Sequence, residues 1–279
     1  MGGRLDMLYE LIKSIVFGIV EGVTEWLPIS STGHMILLDR ILPLNVSSGF
    51  MEMFLVVIQL GAILAVVVLY WKKLCPISLT RRVHIKRETC SLWLKIGTAC
   101  VPAAVIGLLF GDQIDALFYN YQTVAAALIV YGILFIAVER RNGARAERID
   151  DLKGIDYKTA LFIGIFQLLA LIPGTSRSGA TILGAILVGA SRTVAAEFTF
   201  FLAVPVMLGA SLLKLVKFGL HFTAPELAIL LTGALAAFLV SMAAIRFLTN
   251  FVKRHDFKAF GWYRIALGAT VLAFFLFAG

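Results

Sequence analysis

Fourteen consecutive residues, Glu21-Gly-Val-Thr-Glu25-Trp-Leu-Pro28-Ile-Ser30-Ser31-Thr32-Gly33-His34, hold two carboxylates, a run of three hydroxyls and an imidazole between largely apolar segments at 11–20 and 35–42. An acid in hydrocarbon costs about 2.5–3.5 kcal/mol on insertion scales, so ionisable groups in such a place mark function first. Glu21 and Glu25 stand four apart, which puts both carboxylates on one face of a helix. Two carboxylates on one face suit a hard divalent cation, Mg2+ or Ca2+; magnesium is typically held by one or two carboxylates plus phosphate oxygens. The plainer alternative is acids solvated at the rim, but Gly18-x-x-x-Gly22 on the same segment points to close helix packing. Ser30, Ser31 and Thr32 precede a helix expected to restart at Gly33. At least one of them caps it, and a helix N-terminus also receives anions. His34, in the first turn, is placed to take a hydroxyl proton near neutral pH.

A second polar stretch, Pro173-Gly174-Thr175-Ser176-Arg177-Ser178-Gly179-Ala180-Thr181, interrupts a long apolar region. It has no acid. It has Arg177, whose planar fork of donors matches phosphate, and Ser176 or Ser178 can cap the following helix so that its N–H groups meet the same anion. The two stretches divide a phosphoryl-transfer task. Glu21 and Glu25 are the candidate metal ligands, Ser30, Ser31, Thr32 and His34 offer hydroxyls and a base, and Arg177 with Ser176 and Ser178 is a candidate phosphate clamp.

The elements that must position these groups come in two copies. Gly18-Ile-Val-Glu21 matches Gly164-Ile-Phe-Gln167 at an offset of 146 residues, and the same offset pairs Ser30 with Ser176, Thr32 with Ser178, Gly33 with Gly179 and Ile36-Leu37 with Ile182-Leu183. Only the proline slips, Pro28 against Pro173, and Gln167 and Leu171 stand where the acids were. A glutamate follows each unit, Glu52 and Glu197. An internal duplication accounts for this.

The chain has 279 residues, of which 60% are hydrophobic and 15% charged, with a mean hydropathy of +0.92. Soluble domains are about 45–50% apolar and about 25% charged, so an all-α polytopic membrane protein is expected. Its partners are membrane lipids. The net charge of +8 is assigned to cytoplasmic loops rather than to nucleic acid. The N-terminal run carries Glu10 and Lys13, leads straight into the polar stretch and lacks a small-residue cleavage pattern, so it reads as part of the fold rather than a signal peptide. Cys75, Cys90 and Cys100 are odd in number and lack metal-ligand spacing. Reduced thiols are expected.

Residues 7–43 and 159–190, each broken in the middle, read as re-entrant helical hairpins. Irregular backbone at that depth is tolerated only inside protein or beside a wet cavity. Full spans are expected at 50–71, 91–110, 121–138, 195–217, 225–249 and 260–278. Lys and Arg concentrate at 72–90 (including Arg81 and Arg82), 139–158 (including Arg145) and 250–259, whereas 111–120 contains Asp112 and Asp115 and no base. The positive-inside rule puts the basic loops in the cytoplasm, and 111–120, 218–224 and both termini outside. Repeat 1 (about 7–138) and repeat 2 (about 159–278) then each comprise one hairpin and three spans, joined by the basic connection 139–158. Three spans invert the second copy, so both tips meet near the midplane of a single integral membrane domain, as in inverted-repeat transporters.

Glu21-x-x-x-Glu25, Leu-Pro28-x-Ser-Ser31-Thr-Gly-His34 and Pro173-Gly-x-Ser176-Arg177-Ser-Gly-Ala-Thr181 resemble the signature motifs of the undecaprenyl-diphosphate phosphatase, or bacitracin-resistance, family. Val57-Ile58-Gln59-Leu60-Gly61 and Phe201-Leu-Ala-Val-Pro205 agree, so the resemblance extends over essentially the whole chain. It implies hydrolysis of undecaprenyl diphosphate to the monophosphate and inorganic phosphate, recycling of the cell-wall lipid carrier, and bacitracin resistance. It also implies a divalent cation, a bacterial inner-membrane location, a site open to the periplasmic face, and roles for Glu21, Glu25, Ser31, His34, Ser176, Arg177 and Thr181. Serine and water both remain as nucleophile, and a second copy of the chain is a candidate partner. The competing class is a secondary transporter or lipid flippase, which the repeat alone would favour. A transporter has no need of a hydroxyl–imidazole pair beside an arginine.

Overall fold

The computed structural model describes residues 2–78, 84–142, 147–219 and 221–277. Its helices are α1 (Gly2–Thr24), α2 (Ser31–Ile41), α3 (Ser48–Val57), α4 (Gln59–Leu69), the single turn α5 (Trp71–Leu74), α6 (Arg87–Phe118), α7 (Tyr121–Asn142), α8 (Tyr157–Gln167), α9 (Arg177–Leu187), α10 (Arg192–Phe218), α11 (Ala224–Phe251) and α12 (Lys258–Phe277). A two-stranded antiparallel ladder pairs Ile77 with Ile85 and Ser78 with His84, inside what was expected to be a plain basic loop. Among the described residues six helical units are long and apolar enough to cross a membrane, Ser48–Leu69 (α3 with α4), α6, α7, α10, α11 and α12. They coincide with the six expected spans, and the protein is an all-α polytopic membrane protein.

The differences are at the ends. α6 continues to Phe118, so the connection expected over 111–120 shrinks to residues 119–120. Nothing between Asp112 and Phe118 breaks a helix, and Leu, Ala and Gln there favour one. The first full span is jointed at Ile58, whose N–H bonds Phe54 O and whose carbonyl takes the Gly61 N–H, each at 3.0 Å. Arg81, Arg82 and Arg145 lie outside the described residues.

Both expected helix interruptions are present. α1 ends at Thr24, the chain turns through Pro28, and α2 begins at Ser31, two residues earlier than expected. α8 tightens into a 3-10 turn at Leu168–Leu171 before the second tip, after which α9 begins. α1 lies on α11 through Gly18 and Gly22, where a Cβ on Gly22 would stand 2.8 Å from the Ala237 carbonyl oxygen. This is the close packing that the Gly-x-x-x-Gly spacing announced. The Ser14 and Ser241 hydroxyls bind the helices further, donating to Ile229 O (2.6 Å) and Gly22 O (3.3 Å). α8 packs on α6, and α7 on α12. The largest apolar core surrounds α9 and α10, with Trp26, Phe198, Phe200, Phe201 and Phe257 fully buried in it. At one end Glu139 is buried against Arg192 in a two-pronged ion pair (2.7–3.2 Å) and also accepts the Phe257 N–H at 3.1 Å, joining α7, α10 and the turn before α12. Leu108 and Leu109 of α6 and Leu231, Leu235 and Leu239 of α11 stay exposed, forming apolar outer faces.

Candidate active site

The two tips converge. Ser30 caps α2, its hydroxyl accepting the Gly33 N–H at 3.4 Å; Ser176 caps α9 in the same way, accepting the Gly179 N–H at 3.2 Å. The two serines are the only non-glycine residues with positive φ among those described, at 73° and 72°. Such backbone costs of order 1–3 kcal/mol and survives only where the surroundings enforce it. The same strained cap at Ser30 and at Ser176 is the local form of the sequence echo. Gly174, at φ 91°, turns the second tip where a Cβ would press on the backbone of Val124.

Across the tips the side chains interlock. Arg177 Nε and Nη2 both donate to Glu25 Oε1, at 3.3 and 3.0 Å, and Nη1 donates to Thr199 O at 3.0 Å. Glu25 and Arg177 are about nine-tenths buried, and the guanidinium lies 6.0 Å from the Trp26 ring centroid. The other Glu25 oxygen accepts the Ser31 hydroxyl at 3.0 Å. One carboxylate thus bridges a hydroxyl of one hairpin and a guanidinium of the other. Glu21 is buried near Glu25 and Arg177, and its Oε1 has no hydrogen-bond partner among the described residues. Ser31, Thr32 and His34 are partly exposed, whereas Glu21, Glu25 and Ser30 are buried, so the Ser31 and Thr32 hydroxyls are more accessible than the acids.

The remaining expected residues hold the frame. The Ser178 hydroxyl donates to Glu25 O at 3.0 Å, and Thr181 Oγ1 lies 2.9 Å from Arg177 O and from Thr199 Oγ1. His34 is turned away from Ser31. Its Nδ1 lies 2.8 Å from Ser30 O, its Nε2 lies 2.8 Å from the Tyr263 hydroxyl, and the two rings stack at 5.7 Å. The sequence placed the imidazole as the base beside Ser31; in the structure that neighbour is Glu25.

Three residues went unnoticed in the sequence: Thr199, Tyr263 and Arg264. Only Arg264 left a signal there, a lone cation in the apolar span at 260–278, which is the criterion that singled out Arg177.

A family model described as bacitracin resistance protein BacA matches residues 14–270. The chain belongs to the BacA family. Among its relatives, a protein of Desulfitobacterium hafniense named undecaprenyl-diphosphatase is 63% identical over 96% of this chain and 97% of its own length. One of the same name from Acetivibrio thermocellus is 63% identical over 96% and 99%, and one from Enterococcus faecalis 58% over 96% and 98%. The BacA match encloses both tips, so every residue of the convergent site lies inside it.

Proposed function

We infer that this protein is an undecaprenyl-diphosphatase, hydrolysing undecaprenyl diphosphate to undecaprenyl phosphate and inorganic phosphate, which recycles the cell-wall lipid carrier and underlies bacitracin resistance. The observation that carries the chemistry is Glu25, shared between the Ser31 hydroxyl and the Arg177 guanidinium. In the unliganded site Arg177 is neutralised by Glu25. A diphosphate takes over the guanidinium, which leaves Glu25 free to accept the proton of Ser31, or of a water in its place, as the terminal phosphorus is attacked. The bond to the bridging oxygen breaks, and the lipid monophosphate departs. With Ser31 as nucleophile, water then cleaves the phosphoserine. Phosphoryl transfer rests mainly on positioning and charge stabilisation, and the buried tips supply both.

The donor set fits a hard divalent cation, Mg2+ or Ca2+. Glu21 offers a buried carboxylate oxygen that has no partner among the described residues, and Glu25 would join it in holding the ion through the oxygen that now faces Arg177. Among the described residues no three His, Cys, Asp or Glu side chains cluster, so phosphate oxygens and water would supply the remaining ligands. The ion would neutralise charge on the transferring phosphoryl group. Purified protein in detergent, stripped with EDTA, is expected to lose phosphate release from polyprenyl diphosphate and regain it with Mg2+ or Ca2+. Release by detergent-solubilised protein also separates hydrolysis from pure transport, which needs two compartments. No release under any ion would overturn the reading.

The two halves are inverted repeats in a bacterial inner membrane, and the site opens to the periplasm. The crossed pairing of helices supports the repeat relation, α1 with α11 and α8 with α6. So do the ion pairs of the echoing glutamates: Glu52 with Lys214 at 3.9 Å, Glu197 with Lys73 at 2.8 Å. Each joins the start of one repeat's first span to the far end of the other's. In a background without Cys75, Cys90 and Cys100, a cysteine at position 115 should react with an impermeant thiol reagent in intact cells, and one at position 150 only after permeabilisation. The reverse pattern would invert the topology.

A further inference from the structure

We propose that Arg264 is the positioning residue that sets the two reacting tips against each other. Arg264 projects from α12, is fully buried, and forms no ion pair with any described carboxylate. Its guanidinium spends its donors on backbone. Nη1 donates to Pro28 O at 3.2 Å, and Nη2 donates to Gly174 O at 3.0 Å and Thr175 O at 2.8 Å. Its Nε has no hydrogen-bond partner among the described residues, and the cation stacks 5.6 Å from the Tyr131 ring centroid. A buried cation bound to carbonyls, with a donor left over, is an expensive arrangement for stability alone. What it achieves is geometric. Both carbonyl sets belong to the irregular tips, where backbone groups have no helical partner. Pro28 is three residues before Ser31, and Gly174 is three before Arg177. One rigid planar fork therefore bonds both tips at once, in each case three residues before the hydroxyl or the guanidinium that would meet the same phosphate. The fork also abuts the first turn of α9, since a Cβ on Gly179 would stand 3.0 Å from Nη1. Lysine cannot reproduce this: a single ammonium keeps the charge but not the planar spread of donors.

This role rests on the phosphatase reading, and wild-type phosphate release, measured in the same assay, tests that reading separately. Arg264→Met and Arg264→Lys are compared with wild type for kcat, KM and melting temperature in detergent. Loss of alignment should fall on the transition state more than on ground-state binding. Arg264→Met is expected to lower kcat about 100-fold, with KM changed by less than about threefold. Arg264→Lys is expected to stay folded and lower kcat about tenfold at unchanged KM. In Arg264→Ala, added guanidinium should restore turnover while an equal concentration of ammonium does not, a rescue that a merely structural role would not show. Wild-type kcat in Arg264→Met, or a loss confined to KM, overturns the proposal. If Arg264→Met does not fold, Arg264→Lys decides, and wild-type kcat there overturns it.

Discussion

Arg177→Lys is expected to release phosphate at least about 100-fold more slowly than wild type while remaining folded. The side chain carries out three tasks at once: two nitrogens on Glu25 Oε1, one on the Thr199 carbonyl, and its face toward Trp26. A lysine ammonium retains the charge that balances Glu25 but offers no fork for two phosphate oxygens. Alanine would be a poorer test. It would leave Glu25 buried and uncompensated, and breaking a buried pair costs about 3–5 kcal/mol, so lost activity and lost folding would be confounded. If the guanidinium binds the diphosphate as proposed, it acts on both ground state and transition state, so kcat should fall and the affinity for a non-hydrolysable diphosphate analogue should weaken together. Turnover and analogue affinity at wild-type values in Arg177→Lys would remove Arg177 from the reaction.

Glu25→Gln should be as severe, with turnover reduced about 10²–10⁴-fold, the range for loss of a positioned proton acceptor. The amide is isosteric and can still accept from Ser31, but it cannot carry the proton or hold a cation. Ser31→Ala tests the other end of the same hydrogen bond. If Ser31 and Glu25 act as a unit, the double variant should be little worse than the worse single one, whereas fully multiplicative losses would make them independent. Both single variants should still bind the analogue, because Arg177 is intact and, in Glu25→Gln, freed from its carboxylate. Full activity in Ser31→Ala would leave water as the nucleophile with Glu25 as its base. Wild-type turnover in Glu25→Gln would dismiss the shared carboxylate altogether. The coupling is expected with Glu25 rather than with His34, whose two nitrogens are committed to Ser30 O and Tyr263.

The sequence by itself determined the class of protein, the six spans, the two interrupted helices and the residues at their tips. Each of these is local. Apolar runs of spanning length need no partner to be recognised, Pro28 and Pro173-Gly174 break helices wherever they occur, and an arginine or a glutamate in hydrocarbon stands out by its cost. The capping serines were legible for the same reason, although their left-handed backbone was not, because strain is imposed by what surrounds a tip. Only the tertiary structure decided which groups meet. Arg177 finds Glu25 from 152 residues away, and Arg264 finds Pro28 from 236 away. No periodicity or spacing encodes such pairs; they follow from how α12, α9 and the first hairpin pack. His34 illustrates the point. Three residues after Ser31, it looked like that serine's base, but the first turn of α2 carries its ring out to Tyr263 on α12, and the break after α1 brings Glu25 back to Ser31 instead. The chemistry present was written in residue types, and the assignment of partners was left to packing.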